Sequence, residues 1–296
     1  MSVKEIVVRR MLIAVAACSL LIATPSFAQT ATQTTAAPPA LLTAADQEFT
    51  AGDVTLRYRD TGTGDPVVLI HGYSGTLETM AGIARALPEY RTIGLDVRGF
   101  GRSSKFTEPA RFGQLMVDDI VRLLDHLKIQ RAHLIGHSMG ALIAANVAAR
   151  YPDRVSTVAL VAAPLYPDEA TLTRETTRWV GDLESGAGLK NFLLWIFPLW
   201  KPEMAALANA QAMKANDLPS LIATMRSFPT LAIAGLPKNG DTVLLIAGTG
   251  DPLFPLSTAF VKQSPGARIV EVAGADHVNV IVNPASVTAI RELLQR

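Results

Sequence analysis

Short apolar runs alternate along this chain with longer stretches in which apolar positions recur every three or four residues. Pro66-Val67-Val68-Leu69-Ile70, Ala132-His133-Leu134-Ile135, Thr157 to Ala162 and Val243-Leu244-Leu245-Ile246-Ala247 are almost unbroken by polar residues. Runs of that length read as strands buried on both faces, the habit of a parallel sheet clad in helices. Ala267 to Val272 alternates instead, and Phe49 to Asp60 reads as a hairpin turning near Gly52-Asp53. The pattern predicts strands at about 66–70, 91–96, 132–136, 156–162, 242–247 and 267–272. Helices are predicted near 76–87, 110–127, 139–150 and 284–295. That alternation is the signature of a doubly wound α/β sheet, and no internal repeat interrupts it.

One connection breaks the rhythm. From about 164 to 240 there is no strand signal, and a stretch of that length needs structure of its own in a compact domain. It carries helix-like segments and an aromatic cluster, Trp179, Phe192, Trp195, Phe197 and Trp200, which includes every tryptophan of the chain. Two readings stay open: the rings pack this insertion onto the sheet, or Trp179, Trp195 and Trp200 form an apolar wall of a substrate pocket.

The chemistry concentrates where strands end. Gly136-His137-Ser138-Met139-Gly140 lies between a strand run and the helix-like run Ala141 to Arg150, the setting of a nucleophile elbow. A tight strand-to-helix turn needs small residues two positions either side of the serine and exposes its hydroxyl at a helix N-terminus. A serine hydroxyl becomes nucleophilic only when a base takes its proton, and a neutral imidazole needs a carboxylate to hold its tautomer. His277 follows the last strand in Gly274-Ala275-Asp276-His277. Asp251 follows the strand before it, in Gly248-Thr249-Gly250-Asp251-Pro252. Asp168, just past the strand ending at Ala162, is the alternative acid. Among the other histidines, His137 reads as a packing or pocket-wall residue, and His126 and His133 carry no signal.

Upstream, Pro66 to Ile70 runs into His71-Gly72-Tyr73-Ser74-Gly75, and Asp96-Val97-Arg98-Gly99-Phe100-Gly101-Arg102-Ser103 follows the next strand. With these in place and in the order Ser, Asp, His, the chain resembles the cap-bearing α/β-hydrolases over roughly Gly52 to Arg296. The resemblance implies the α/β-hydrolase fold: a mostly parallel, doubly wound sheet with helices on both faces, in a domain over 46–296 with a helical cap inserted at about 164–240. It implies an oxyanion hole made by the backbone N–H groups of Tyr73 and Met139, and it favours Asp251 over Asp168 as the acid. His71 braces its loop or borders the pocket. The Asp96 to Ser103 segment is read as structural. Relatives with aspartate at the elbow form alkyl-enzyme esters; a serine there points to acyl transfer through an acyl-enzyme. A carboxylic ester hydrolase acting on a small molecule with an apolar group is therefore expected, without cofactor or metal. Carbon–carbon bond, lactone or thioester hydrolysis and perhydrolysis use the same machinery, and a binding protein that retains the fold is the non-enzymatic alternative.

Composition narrows the setting. The chain has 296 residues, 49% hydrophobic, enough for a sizeable core. Lys4, Arg9 and Arg10 precede the apolar run Met11 to Ala23, and Ser26-Phe27-Ala28 offers small residues where a signal peptidase reads. Residues 1–28 are thus expected to be a secretory signal, with an uncleaved N-terminal anchor as the alternative, and 29–45 a flexible leader poor in large apolar groups. The expected location is the periplasm or the exterior, with no stable membrane association after cleavage. Cys18 is the single cysteine and leaves with the signal, so neither disulfides nor a cysteine nucleophile belong to the mature chain. Cleavage lowers Lys plus Arg from 27 to 24 and Asp plus Glu from 26 to 25, a net charge of about −1 with no basic footprint for nucleic acid.

Overall fold

The computed structural model describes residues 39–166, 168–233 and 242–296. The signal segment and most of the leader lie outside these residues.

A single eight-stranded sheet organises the chain, in the order β1-β2-β4-β3-β5-β6-β7-β8. The strands are β1 Gln47–Ala51, β2 Val54–Thr61, β3 Pro66–Ile70, β4 Arg91–Leu95, β5 Ala132–His137, β6 Val155–Val161, β7 Val243–Gly248 and β8 Arg268–Val272. β1 and β2 form the expected hairpin and β2 joins β4 antiparallel, while every other neighbouring pair is parallel. Every residue of β7 is buried, as are all but Pro66 of β3 and all but His137 of β5. Cover on both faces explains why their sequences read as continuous apolar runs rather than as alternation.

Successive residues of these strands feed opposite cores. Val68, Ile70, Leu134, Leu160 and Leu245 pack with α3 (Gln114–His126), α4 (Met139–Arg150) and Phe260 of α9 (Phe254–Gln263). Val67, Leu69, Ile135, Val161 and Ile246 pack with α1 (Ala40–Thr43), α2 (Ala81–Arg85) and α10 (Pro284–Leu294). α1 corrects the expected leader, which was drawn to 45: Leu41 is 1% exposed and sits in that second core, so the packed domain already includes residues 40–43. The reason is apolar burial by one leucine, enough to order a single turn against Leu77 and Gly94.

The insertion between β6 and β7 is helical, as expected: α5 Glu169–Glu184, α6 Lys190–Ile196, α7 Pro202–Ala215 and α8 Leu218–Ser227. Phe228 and Leu231, in the 3-10 turn after α8, are buried in the first core and join the cap to the sheet domain. Among the described residues no helix is long and apolar enough to cross a membrane.

Candidate active site

Ser138 stands in the turn between β5 and α4 with φ 53° and ψ −115°, a conformation that non-glycine residues rarely occupy and that costs on the order of 1–3 kcal/mol. Its N–H donates to Val161 O at 2.9 Å, anchoring the turn to β6. The flanking glycines are required by close backbone approach. A Cβ on Gly136 would lie 2.2 Å from Gly140 O, and one on Gly140 would lie 2.0 Å from Ile70 O. Met139 opens α4, so its N–H belongs to the first turn, where donors lack an intrahelical acceptor and the helix dipole favours negative charge.

The loop after β3 meets this turn directly. A Cβ on Gly72 would lie 3.3 Å from Ser138 Cβ, which puts the backbone preceding Tyr73 against the serine. The cap holds that loop from the other side. Tyr73 Oη donates to Leu221 O of α8 at 2.8 Å, and Asn216 Nδ2 donates to Ser74 O at 3.2 Å. The Tyr73 ring packs edge-on against Phe100 and Phe228, with centroids 5.7 and 5.8 Å away. Burial raises its phenol well above the ordinary tyrosine range. Both oxyanion candidates, Tyr73 and Met139, thus border Ser138.

His71 does not line a pocket, contrary to one of the expected readings. Its ring is fully buried: the Val97 N–H donates to Nε2 at 3.0 Å and Nδ1–H donates to Gly72 O at 2.7 Å. Burial also holds its pKa below the usual histidine value, and a neutral ring is what these two bonds demand. It braces the loop.

The acid and base candidates meet. His277 Nδ1 lies 2.8 Å from Asp251 Oδ2, and the two residues are 6% and 4% exposed. Asp251 Oδ1 accepts from Leu253 N at 2.9 Å, which fixes the carboxylate plane. The loops carrying them are zipped together by Thr249 N to Val272 O at 3.0 Å and Gly250 N to Ala275 O at 2.9 Å. Asp168 is elsewhere: it caps α5, accepting from Thr171 N at 2.8 Å and Thr171 Oγ1 at 2.9 Å, and those bonds lower its pKa.

Ser138 Oγ has no side-chain hydrogen bond to another described residue. Its link to His277 runs through its neighbour His137, whose Nε2 bonds His277 O at 2.7 Å, the two rings being 5.1 Å apart. Uncomplexed sites commonly show such open nucleophile–base geometry.

The cap aromatics divide. Trp179 is buried between Phe192 and Trp195, at 5.3 and 5.4 Å, with Arg178 over its face at 3.8 Å; it packs the cap. Trp195 and Trp200 are half-buried beside Ile196, Phe197 and Leu253, in a cluster that also takes in Val278. That cluster sets them against the acid and base loops. The Asp96 to Ser103 segment is structural, as read: buried Asp96 accepts from Leu77 N, Arg102 N and Arg57 Nη1 at 2.9, 2.8 and 2.9 Å, and Arg98 forms a two-bond pair with buried Asp119. Among the described residues no group of three or more His, Cys, Asp or Glu side chains is arranged to hold a metal ion.

Known proteins share this architecture. The profile of the family described as alpha/beta hydrolase fold matches residues 65–182. A protein of Azorhizobium caulinodans, provisionally named a carbamate hydrolase, is 30% identical over 244 residues, covering 79% of this chain and 92% of its own. The dihydrolipoyllysine-residue acetyltransferase component of the acetoin cleaving system of Pseudomonas putida is 40% identical over 121 residues, 40% of this chain. The match spans only 32% of that longer protein. Among solved structures, a bromoperoxidase from Bacillus anthracis superposes with a TM-score of 0.68 at 22% identity, covering 85% of this chain and all of that one. The chain belongs to the α/β-hydrolase family and is a hydrolase of that family.

Proposed function

We propose that this hydrolase cleaves carboxylic esters carrying an apolar group, through an acyl-enzyme on Ser138. The observation that carries the reading is the buried His277–Asp251 contact of 2.8 Å, on loops beside a strained serine. His277 Nε2 takes the Ser138 proton as Oγ attacks the ester carbonyl. The N–H groups of Tyr73 and Met139 receive the oxyanion. Collapse expels the alcohol, protonated by His277, and water then attacks the acyl-enzyme with His277 again as base, releasing the acid and restoring Ser138. Asp251 holds Nδ1–H throughout. The A. caulinodans relative is named a carbamate hydrolase, and a carbamate, like an ester, is a carbonyl bearing a heteroatom leaving group.

The apolar preference is supported by the aromatic packing beside the site: Tyr73, on the loop that borders Ser138, packs with Phe100, Phe192 and Phe228, and Trp195 and Trp200 pack in the cluster of Leu253 and Val278, next to the acid and base. Mixing the protein with a p-nitrophenyl ester is expected to release a burst of p-nitrophenol equal to the enzyme present, with kcat/KM rising as the acyl chain lengthens. No burst, or faster cleavage of a vinylogous diketone carbon–carbon bond than of any ester, overturns the ester reading. Export also belongs to the proposal, supported by the basic, apolar and small-residue order of residues 4–28. Intact mass of the cell-derived protein decides it: a chain starting near Gln29 supports export, and a chain retaining Met1 overturns it.

A further inference from the structure

The residue between the elbow glycine and the nucleophile has a partner 140 positions away. His137 Nε2 lies 2.7 Å from the backbone oxygen of His277. A carbonyl can only accept, so Nε2 carries the proton and His137 is the donor. Among the described residues no other donor reaches that oxygen, and His137 is the last residue of β5, adjoining Ser138.

We infer that His137 is a positioning residue that straps the base to the nucleophile. The inference rests on the reading of Ser138 and His277 as nucleophile and base. His277 hangs on the loop after β8, whereas Ser138 is fixed between β5 and α4. Without the strap, their separation depends on two loops and the intervening β6 and β7. With it, one hydrogen bond ties the backbone of His277 to the residue next to Ser138. Asp251 then orients the imidazole from Nδ1, and the strap sets how far Nε2 stands from Oγ. The other hydrogen bonds of the base loop do not reach the Ser138 turn: Asp276 Oδ1 accepts from Val278 N at 2.9 Å and Asn279 N at 2.8 Å within the loop, and Ala275 O accepts from Gly250 N of the acid loop at 2.9 Å.

Catalysis, rather than the hydrogen bond, calls for a neutral His137: an imidazolium would still donate from Nε2, but beside the His277 ring it would oppose the charge that His277 acquires. Partial burial and the neighbouring His277 push the His137 pKa down to about 4, so the donor stays uncharged over the ordinary working range. Gly72 matches this arrangement, because a Cβ there would lie 3.1 Å from His137 Nδ1.

The test compares His137→Phe, which keeps a ring but removes the donor, with His137→Gln, whose amide nitrogen reaches about as far as Nε2. His137→Phe should lower kcat roughly ten- to a hundredfold with little change in KM, the range expected when a catalytic group is misplaced by a fraction of an ångström to about one. His137→Gln should recover most of that loss. The low-field proton resonance of His277 Nδ1–H should shift or broaden in His137→Phe and return in His137→Gln. Equal kcat in wild type and His137→Phe, or equal loss in both variants, overturns the inference. A further measurement needs no variant: imidazole 15N shifts of the wild-type protein near pH 7 should report the Nε2–H tautomer for His137, and an Nδ1–H tautomer overturns the strap outright. Failure of the underlying reading looks different, because Ser138→Ala would then keep its activity.

Discussion

Replacing Ser138 by alanine is expected to remove ester hydrolysis almost completely, by on the order of a million-fold in kcat, with the fold retained. Alanine deletes only the hydroxyl, and the Ser138 N–H bond to Val161 O that anchors the turn is untouched. His277→Ala should cost about as much, and the double variant little more than either, because nucleophile and base act on one proton in one step. Stopped-flow assay of the three proteins at saturating ester checks the non-additivity. Losses that multiply would mean that Ser138 and His277 work independently.

Asp251→Asn should lower kcat about ten-thousand-fold while leaving the melting temperature close to that of the wild type. The amide can present its NH2 to Nδ1, which stabilises the tautomer with the proton on Nε2, where Ser138 needs a free lone pair. Asp251 Oδ1 also accepts from Leu253 N, a bond that the amide oxygen can retain, so the loop should keep its shape. Asp168→Asn, at an exposed helix cap whose carboxylate bonds Thr171 and not His277, should leave kcat unchanged. Measuring kcat and thermal melting on both variants separates lost chemistry from lost fold. A large kcat defect in Asp168→Asn with a mild one in Asp251→Asn would reverse the assignment.

Much of this site is legible in the sequence, since strand ends are where an α/β sheet presents its chemistry. β3 is found over Pro66–Ile70, the range its apolar run predicts, and β7 and β8 begin a residue later than expected. Their ends place His71, Asp251 and His277 on loops. The elbow is legible because Gly136 and Gly140 answer to steric distances that any side chain would violate. Four features escape a linear reading. α9 begins Phe254-Pro255, where proline at the start of a helix resembles a breaker, and only two of its residues are buried, so its apolar period is faint. The turn at Ala40–Thr43 depends on Leu41 finding a core built from residues at position 67 and later. His137 carries no periodic signal at all, because its partner is a backbone oxygen brought near only by the crossing of β5 and the β8 loop. The network around Arg57, which binds Asp46, Glu78 and Asp96 from separate segments, is hidden for the same reason. Burial by itself would raise the Glu78 carboxyl, but the hydrogen bonds from Arg57 and Thr76 and the Arg57 charge bring it down to about 2.

The most direct test of the account is the intact mass of the protein after reaction with a fluorophosphonate, followed by peptide mapping. One adduct per chain is predicted, on the peptide containing Ser138, formed in step with loss of esterase activity. It should be absent in Ser138→Ala and formed far more slowly in His277→Ala and Asp251→Asn. Labelling of a different serine, or full turnover by the protein once Ser138 is modified, would contradict the proposed mechanism.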